Sequence, residues 1–303
     1  DLGCYGGEID TPNLNRLAAE GVRFREFKNT ARCCPTRASL LTGLYSHQAG
    51  VGHMVNDYGV PGYRGDLNRT SVTIAEALKP AGYTTAMIGK WHVTTPDPAK
   101  RHNWPRKRGF DYAYSTVIGG GNYFRPMRLI RNDEFIEPEG DYYYTDALSA
   151  EASAFIEKQK GSSQPFFMYL AYTAPHWPMH AREKDIAKYQ GKYAAGWDQL
   201  REKRYARMLE VGSVEKKWGR APRDPKTPAW DETPNKDWQQ RRMEVYAAMV
   251  DSLDQGIGRV LDTLKRSGLE EDTQVLFLAD NGGCAEGMGN KPNPAYAQKT
   301  LKG

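Results

Sequence analysis

Short β-branched or aromatic runs alternate with helix-forming segments along this chain, and that alternation confines it to folds in which helices cover a sheet. Residues 84–88, 166–170 and 274–279 read as strands, and residues 22–27 read as a fourth. Thr11-Pro12 opens a helix that runs to Glu20, with Leu14, Leu17 and Ala18 on one face and Gly21 as its stop. Ser71 caps a second helix over 72–78, which closes near Pro80-Ala81-Gly82. A third spans about 146–158, with Leu148, Phe155 and Ile156 as its apolar side. The longest periodic stretch, 236–267, repeats Tyr246, Met249, Val250, Leu253, Ile257, Val260, Leu261 and Leu264 at helical spacing; this is a packing face, not a cofactor box. Strands separated by helices predict an α/β fold with a largely parallel sheet flanked by helices. In such sheets ligands bind beyond the carboxyl ends of the strands, so the residues just past each strand are the candidates for chemistry.

The run from Cys33 to Gly43, Cys-Cys-Pro-Thr-Arg-Ala-Ser-Leu-Leu-Thr-Gly, is the most specific segment. A Cys-x-Pro-x-Arg match arises by chance on the order of 0.02 times in a chain of this composition. Pro35 suits a first helical turn, where its missing N–H is not needed, and Gly43 can close the helix. Cys33 therefore sits at a helix entrance, where unpaired N–H groups and the positive end of the dipole favour an anion. Arg37, one turn in, adds a fixed positive fork. Three further segments follow predicted strands: Gly89-Lys90-Trp91-His92, Tyr172-Thr173-Ala174-Pro175-His176-Trp177-Pro178 and Asp280-Asn281-Gly282-Gly283. Taken singly, a histidine after a strand reads as a hydrogen-bonded structural residue, and Asp-Asn-Gly-Gly as a turn. Cys33 and Cys34 read alternatively as a buried thiol pair or metal ligands, although no CxxC or Cys/His cluster of zinc spacing is present. The common position of the three segments past strand ends argues that they converge.

In this order the four segments resemble the signature elements of the type I sulfatases, in the alkaline phosphatase-like superfamily, and the resemblance covers nearly the whole chain. It implies an alkaline phosphatase-like fold and one sulfatase catalytic domain over residues 1–303. It implies that a maturation enzyme oxidises Cys33, and not Cys34, to formylglycine, whose hydrated aldehyde is the nucleophile. Arg37 and Lys90 would hold charge, His176 would donate to or orient the leaving group, and His92 would remove a proton so that free sulfate departs. Asp280 and Asn281 are the implied ligands of Ca²⁺, or of Mg²⁺. Family members carry a pair of adjacent aspartates at the end of a first strand, a few residues before the segment matching Asp1–Gly7. The first strand and the C-terminal subdomain are therefore expected to be missing, and Lys302 is the candidate for a second active-site lysine. The implied substrate is a sulfated small molecule or a sulfated carbohydrate, and the implied location periplasmic or secreted. A phosphatase or phosphodiesterase of the same superfamily is the alternative, which Cys33 with Pro35 and Arg37 argues against. A non-catalytic fragment is a third reading, opposed by the joint retention of Cys33, Arg37, Lys90, His92 and His176.

Bulk properties agree with an enzyme domain. The 303 residues, 39% hydrophobic and 26% charged, suffice for one large domain or a domain with a small appendage. The 42 basic and 37 acidic residues are interspersed, so the net charge of +5 gives no reason to expect nucleic acid as a partner. No stretch of about 18 apolar residues is present, so no membrane span is expected. Cys4, Cys33, Cys34 and Cys284 make no disulfide framework for a domain of this size. Gly119-Gly120-Gly121 does not follow a phosphate-loop pattern and reads as a plain loop. Residues 181–236 read as solvated surface in which Trp197, Trp218 and Trp230 could line a substrate rim, and Asn68-Arg69-Thr70 is a glycosylation sequon.

Overall fold

The computed structural model describes residues 1–283. Cys284 and Lys302 lie outside the described residues. The described residues divide into two compact units, one built from residues 1–27 and 174–258, the other from residues 28–173 and 259–283.

The second unit holds the sheet. Its strands are β1 (Thr84–Lys90), β2 (Tyr112–Thr116), β3 (Leu129–Arg131), β4 (Glu134–Phe135) and β5 (Phe166–Ala171), in the order β4-β3-β2-β1-β5. Strand β1 is central and pairs in parallel with both β2 and β5, whereas β3 and β4 are added antiparallel at one edge. Every residue of β1 after Thr84 is buried, as expected of a parallel strand covered on both faces. Register places Lys90 opposite Thr116 and Gly89 opposite Ala171, so the carboxyl ends of three strands lie side by side. Gly89 has φ of 112°, and a Cβ there would lie 2.0 Å from the carbonyl oxygen of Ala171, so no other residue fits that crossing.

The helices of this unit are α2 (Cys33–Thr42), α3 (Ile74–Leu78) and α4 (Tyr144–Gln159). Helix α3 begins two residues later than the sequence predicts because Thr73, not Ser71, is its cap. Thr73 accepts from the Glu76 N–H, and the Glu76 carboxylate accepts from the Thr73 N–H, a reciprocal box that Ser71 cannot make. Helix α4 buries Leu148, Ala152, Phe155 and Ile156, and it packs against β1 and β5.

The first unit contains α1 (Pro12–Glu20), α5 (Glu183–Ile186), α6 (Gly196–Glu210) and most of α7 (Lys236–Arg266). Trp230 is 8% exposed and packs edge-on against Trp197 at 4.8 Å, so it serves this unit's core and not a substrate rim.

Two predicted strands do not form. Residues 22–27 and 274–279 join no ladder among the described residues, and Val22, Phe24, Val275, Leu276 and Phe277 are exposed. Their composition is strand-like, but a strand exists only when a neighbour supplies hydrogen bonds. The Asn68 sequon is also engaged: its amide accepts from Ser71 N–H and Thr70 Oγ1 and donates to the Gln48 carbonyl at 2.5 Å.

Asp254, 1% exposed, fixes the start of α1 in the first unit, accepting from Leu14 N at 2.8 Å, Asn13 N at 3.1 Å and Asn13 Nδ2 at 2.9 Å. Asp254→Ala leaves two helix N–H groups unpaired and should destabilise the protein by about 2–3 kcal/mol. A denaturant midpoint within error of wild type would show that α1 does not depend on this carboxylate.

Candidate active site

Cys33 is the first residue of α2 and is 7% exposed. Arg32 before it is extended and gives no side-chain cap, Pro35 has no N–H to offer, and Gly43 closes the helix in the left-handed region at φ 69°. The helix thus starts with uncapped N–H groups around Cys33, the arrangement that favours an anion.

The chain leaving β1 delivers two more groups. Lys90 is the last strand residue and is 2% exposed. Trp91 N and His92 N then donate to the carbonyls of Thr116 and Val117, extending the β1–β2 ladder past its end. His92 adopts φ of 53°, a left-handed conformation that costs a non-glycine residue about 1–3 kcal/mol and recurs at functional sites. The turn brings His92 Nδ1 to 3.4 Å from Cys33 Sγ. Gly119 makes room for it: a Cβ there would lie 2.0 Å from His92 Cε1, so the glycine loop closes against the imidazole only because it carries no side chain.

Arg37, 5% exposed, is held from three sides. Its Nη1 donates to the Lys90 carbonyl at 2.6 Å and to Tyr169 Oη at 3.3 Å, and its Nε donates to Asp280 Oδ2 at 2.8 Å. Burial alone would lower its pKa, but Tyr169, Asp280 and Cys33 together raise it above the ordinary value. Burial followed by the nearby Arg37 holds Lys90 below the usual lysine range. The hydrogen bond from Cys34, then those of His92 and the charge of Lys90, pull the Cys33 thiol far below the cysteine range against the cost of burial. The same bond pushes Cys34 up. The two thiols are thus pushed apart, Cys33 towards the thiolate and Cys34 towards the thiol, with His92 Nδ1 beside the Cys33 sulfur.

Of the residues anticipated from sequence, Cys33, Arg37, Lys90, His92 and Asp280 meet in this unit. Asn281 follows Asp280, and its Nδ2 donates to the Gly282 carbonyl at 2.8 Å. His176 belongs to the other unit, where its Nδ1–H donates to the Trp177 carbonyl at 2.6 Å. Asp280 and Asn281 carry hard oxygens of the kind Ca²⁺ prefers, but they supply two donors where that ion takes six to eight. Among the described residues, the grouped donors are Cys33, Cys34 and His92, within 4.8 Å of one another, and these are too soft for Ca²⁺. Tyr169 and Gly119 were not anticipated. Tyr169 sits inside a strand and signals only burial, and Gly119 lies in a loop whose glycines match no motif.

Comparisons with known proteins give the chain's family. The Sulfatase family profile matches residues 1–302. An uncharacterised sulfatase of Schizosaccharomyces pombe is 39% identical over 337 residues, spanning 100% of this chain and 60% of its own length. An arylsulfatase of Klebsiella aerogenes is 33% identical over 327 residues, spanning 98% of this chain and 66% of its own. The crystal structure of a Bacteroides fragilis sulfatase, yidJ, superposes with a TM-score of 0.67 at 24% identity, covering 89% of this chain and 56% of that one, and shares the fold. The chain thus spans about two thirds or less of the length of these relatives.

Burial, opposed by the hydrogen bond with Cys33, lowers the His92 pKa from 6.5 to about 4. The unfolded chain then binds a proton that the folded protein refuses, so this contribution to stability is complete above pH 6.5 and is lost as pH falls towards 4. The loss reaches about 3 kcal/mol. His180, also held at about 4 by burial, adds a similar loss. Urea midpoints between pH 7 and 4 should show His92→Gln flattening the acid limb while the His180 share persists; an acid limb identical to wild type would mean that His92 protonates freely when folded.

Proposed function

Because the chain belongs to the sulfatase family, we propose that it is the catalytic portion of an arylsulfatase-like hydrolase that cleaves sulfate monoesters. The observation that carries the reading is the buried juxtaposition of Cys33 with His92, Lys90 and Arg37 at a helix N-terminus. Family membership implies formylglycine and a divalent metal in general. We assign the formylglycine to Cys33, formed by a maturation enzyme, and take residues 1–303 as part of one catalytic domain.

A formylglycine hydrate at Cys33 would supply an oxygen nucleophile for sulfur. Around it, uncapped N–H groups of α2, Lys90 and Arg37 hold the sulfuryl oxygens and stabilise the charge that builds on them. His92 stays neutral near pH 7 because it is buried, so it is able to take the proton whose removal frees sulfate. His176 is proposed to donate to the leaving oxygen. Asp280 and Asn281 are proposed ligands of Ca²⁺, or of Mg²⁺, which would neutralise sulfate charge. The substrate is proposed to be a sulfated small molecule or carbohydrate, and the location periplasmic or secreted. Among the described residues no helix is long and apolar enough to cross a membrane.

The decisive experiment uses full-length protein made alongside a maturation enzyme. Peptide mass spectrometry should show a loss of about 18 mass units at Cys33 and none at Cys34. The modified protein should release sulfate from an aryl sulfate, and Cys33→Ser should stall after one transfer. An active preparation with unmodified Cys33 would overturn the formylglycine mechanism, and faster cleavage of phosphate than of sulfate monoesters would favour the phosphatase reading.

Two hard donors make a weak calcium site. Calorimetry on residues 1–303 should give a Ca²⁺ affinity poorer than micromolar, whereas micromolar binding would place the ligands elsewhere.

A further inference from the structure

We propose that the unmodified chain binds a soft divalent cation, Zn²⁺, through Cys33 Sγ, Cys34 Sγ and one ring nitrogen of His92. The donor atoms of these residues all lie within 4.8 Å of one another, and Cys33 Sγ stands 3.4 Å from His92 Nδ1. Zinc bonds of about 2.3 Å to sulfur and about 2.0 Å to nitrogen, set at the tetrahedral angle, put neighbouring donors about 3.5–3.8 Å apart. The Cys33–His92 edge is therefore already at its bound length, and the remaining edges close by about 1 Å at most. No local spacing announces this set, because Cys33 and His92 are 59 residues apart. Only the fold brings them together.

The donors stand on rigid supports. Both cysteines belong to the first turn of α2, which Arg37 ties to the Lys90 carbonyl at 2.6 Å. His92 is held by the bond from its N–H to the Val117 carbonyl at 3.2 Å, and Gly119 closes on its ring. A set ordered in advance loses little freedom when the ion enters. Three protein ligands leave the fourth tetrahedral position to water. Buried Lys90 and Arg37 oppose a bare cation, but loading is an exchange: S–H bonds break, Zn–S bonds form, the protons go to solvent and no electron moves. A dithiol that loses two protons to one Zn²⁺ gains no net charge. With Cys33 already ionised the pocket gains one, against which Asp280 stands 2.8 Å from Arg37. Oxidation of Cys33 to formylglycine would remove this site, since a hard oxygen then replaces a soft sulfur and only Cys34 and His92 remain. That exclusion alone rests on the sulfatase reading; the zinc site of the unmodified chain does not.

The test uses full-length protein made without a maturation enzyme, with Ca²⁺ present to fill sites of hard oxygens. Zn²⁺ is titrated against a chromophoric chelator, and Co²⁺ serves as its coloured stand-in. Wild type should bind Zn²⁺ more tightly than about micromolar. Its Co²⁺ form should show a thiolate charge-transfer band and the intense visible bands of a tetrahedral site. Cys33→Ser, Cys34→Ser and His92→Gln should each weaken Zn²⁺ binding by more than about 100-fold, beyond what the loss of an outer-shell partner costs. X-ray absorption on the wild-type zinc complex needs no variant and should show two sulfurs at about 2.3 Å with nitrogen and oxygen at about 2.0 Å. A zinc shell without sulfur, a Co²⁺ form without charge transfer, or variants that bind as wild type does would overturn the site. Protein whose Cys33 has lost about 18 mass units should bind Zn²⁺ as weakly as Cys33→Ser does. Undiminished binding by that protein would remove Cys33 from the ligand set, whereas a Cys33 that no maturation enzyme converts overturns only the formylglycine assignment.

Discussion

The Arg37 guanidinium is the contact on which the site depends. A permanently charged group cannot be buried without partners, and Arg37 takes them from separate parts of the chain: a β1 carbonyl at Lys90, a β5 hydroxyl at Tyr169 and a carboxylate at Asp280. Helix α2 is therefore tied to two adjacent parallel strands and to the segment that follows α7. Because α2 is clamped there, its first residue is brought against the turn leaving β1. The Cys33–His92 approach follows from where Arg37 is held.

The strained residues lie where that clamp leaves little freedom. Gly89 crosses Ala171 too closely for a side chain, and two residues on from Lys90 the chain turns through a left-handed conformation at His92. Hydrogen bonds from Trp91 and His92 to the end of β2 hold the turn in place, and Gly119 closes over the ring from the loop that β2 enters. An ordinary histidine after a strand would choose an extended conformation and point elsewhere. Here packing over-determines it, as strain at a functional site requires.

Much of this was legible in the sequence, for identifiable reasons. Helix α2, with Pro35 in its first turn and Gly43 at its end, is fixed by local backbone chemistry, so Cys33 could be placed at its start before any tertiary contact was known. Strands β1 and β5 announced themselves through apolar runs, Ala86–Ile88 fully buried and Phe166–Leu170 half-buried. By contrast, 22–27 and 274–279 look like strands by composition and remain unpaired among the described residues, because a ladder is a relation between segments and no single segment encodes it. The edge strands β3 and β4 are short and mixed in polarity, and they were not foreseen. Tyr169 and Gly119 were missed for a related reason: one acts through a hydroxyl at the end of an otherwise apolar strand residue, the other through a missing atom.

The charges of the cluster give the chemistry a direction. With Cys33 as thiolate, Arg37 and Lys90 face Cys33 and Asp280, two positive groups against two negative ones, and the site has no excess charge for a ligand to neutralise. The lowered thiol pKa points the same way: the hydrogen bond from Cys34, then that of His92 and the charge of Lys90, favour an anion on Cys33. Conversion of Cys33 to a neutral aldehyde hydrate removes that anion without moving Arg37 or Lys90, whose positions are set by the strands and not by the thiol. The pocket is then left with an unneutralised positive charge beside uncapped helix N–H groups, and a sulfate monoester carries one negative charge of tetrahedral form. On this argument the proposed modification does two things at once: it installs the nucleophile, and it vacates the charge that the substrate takes up.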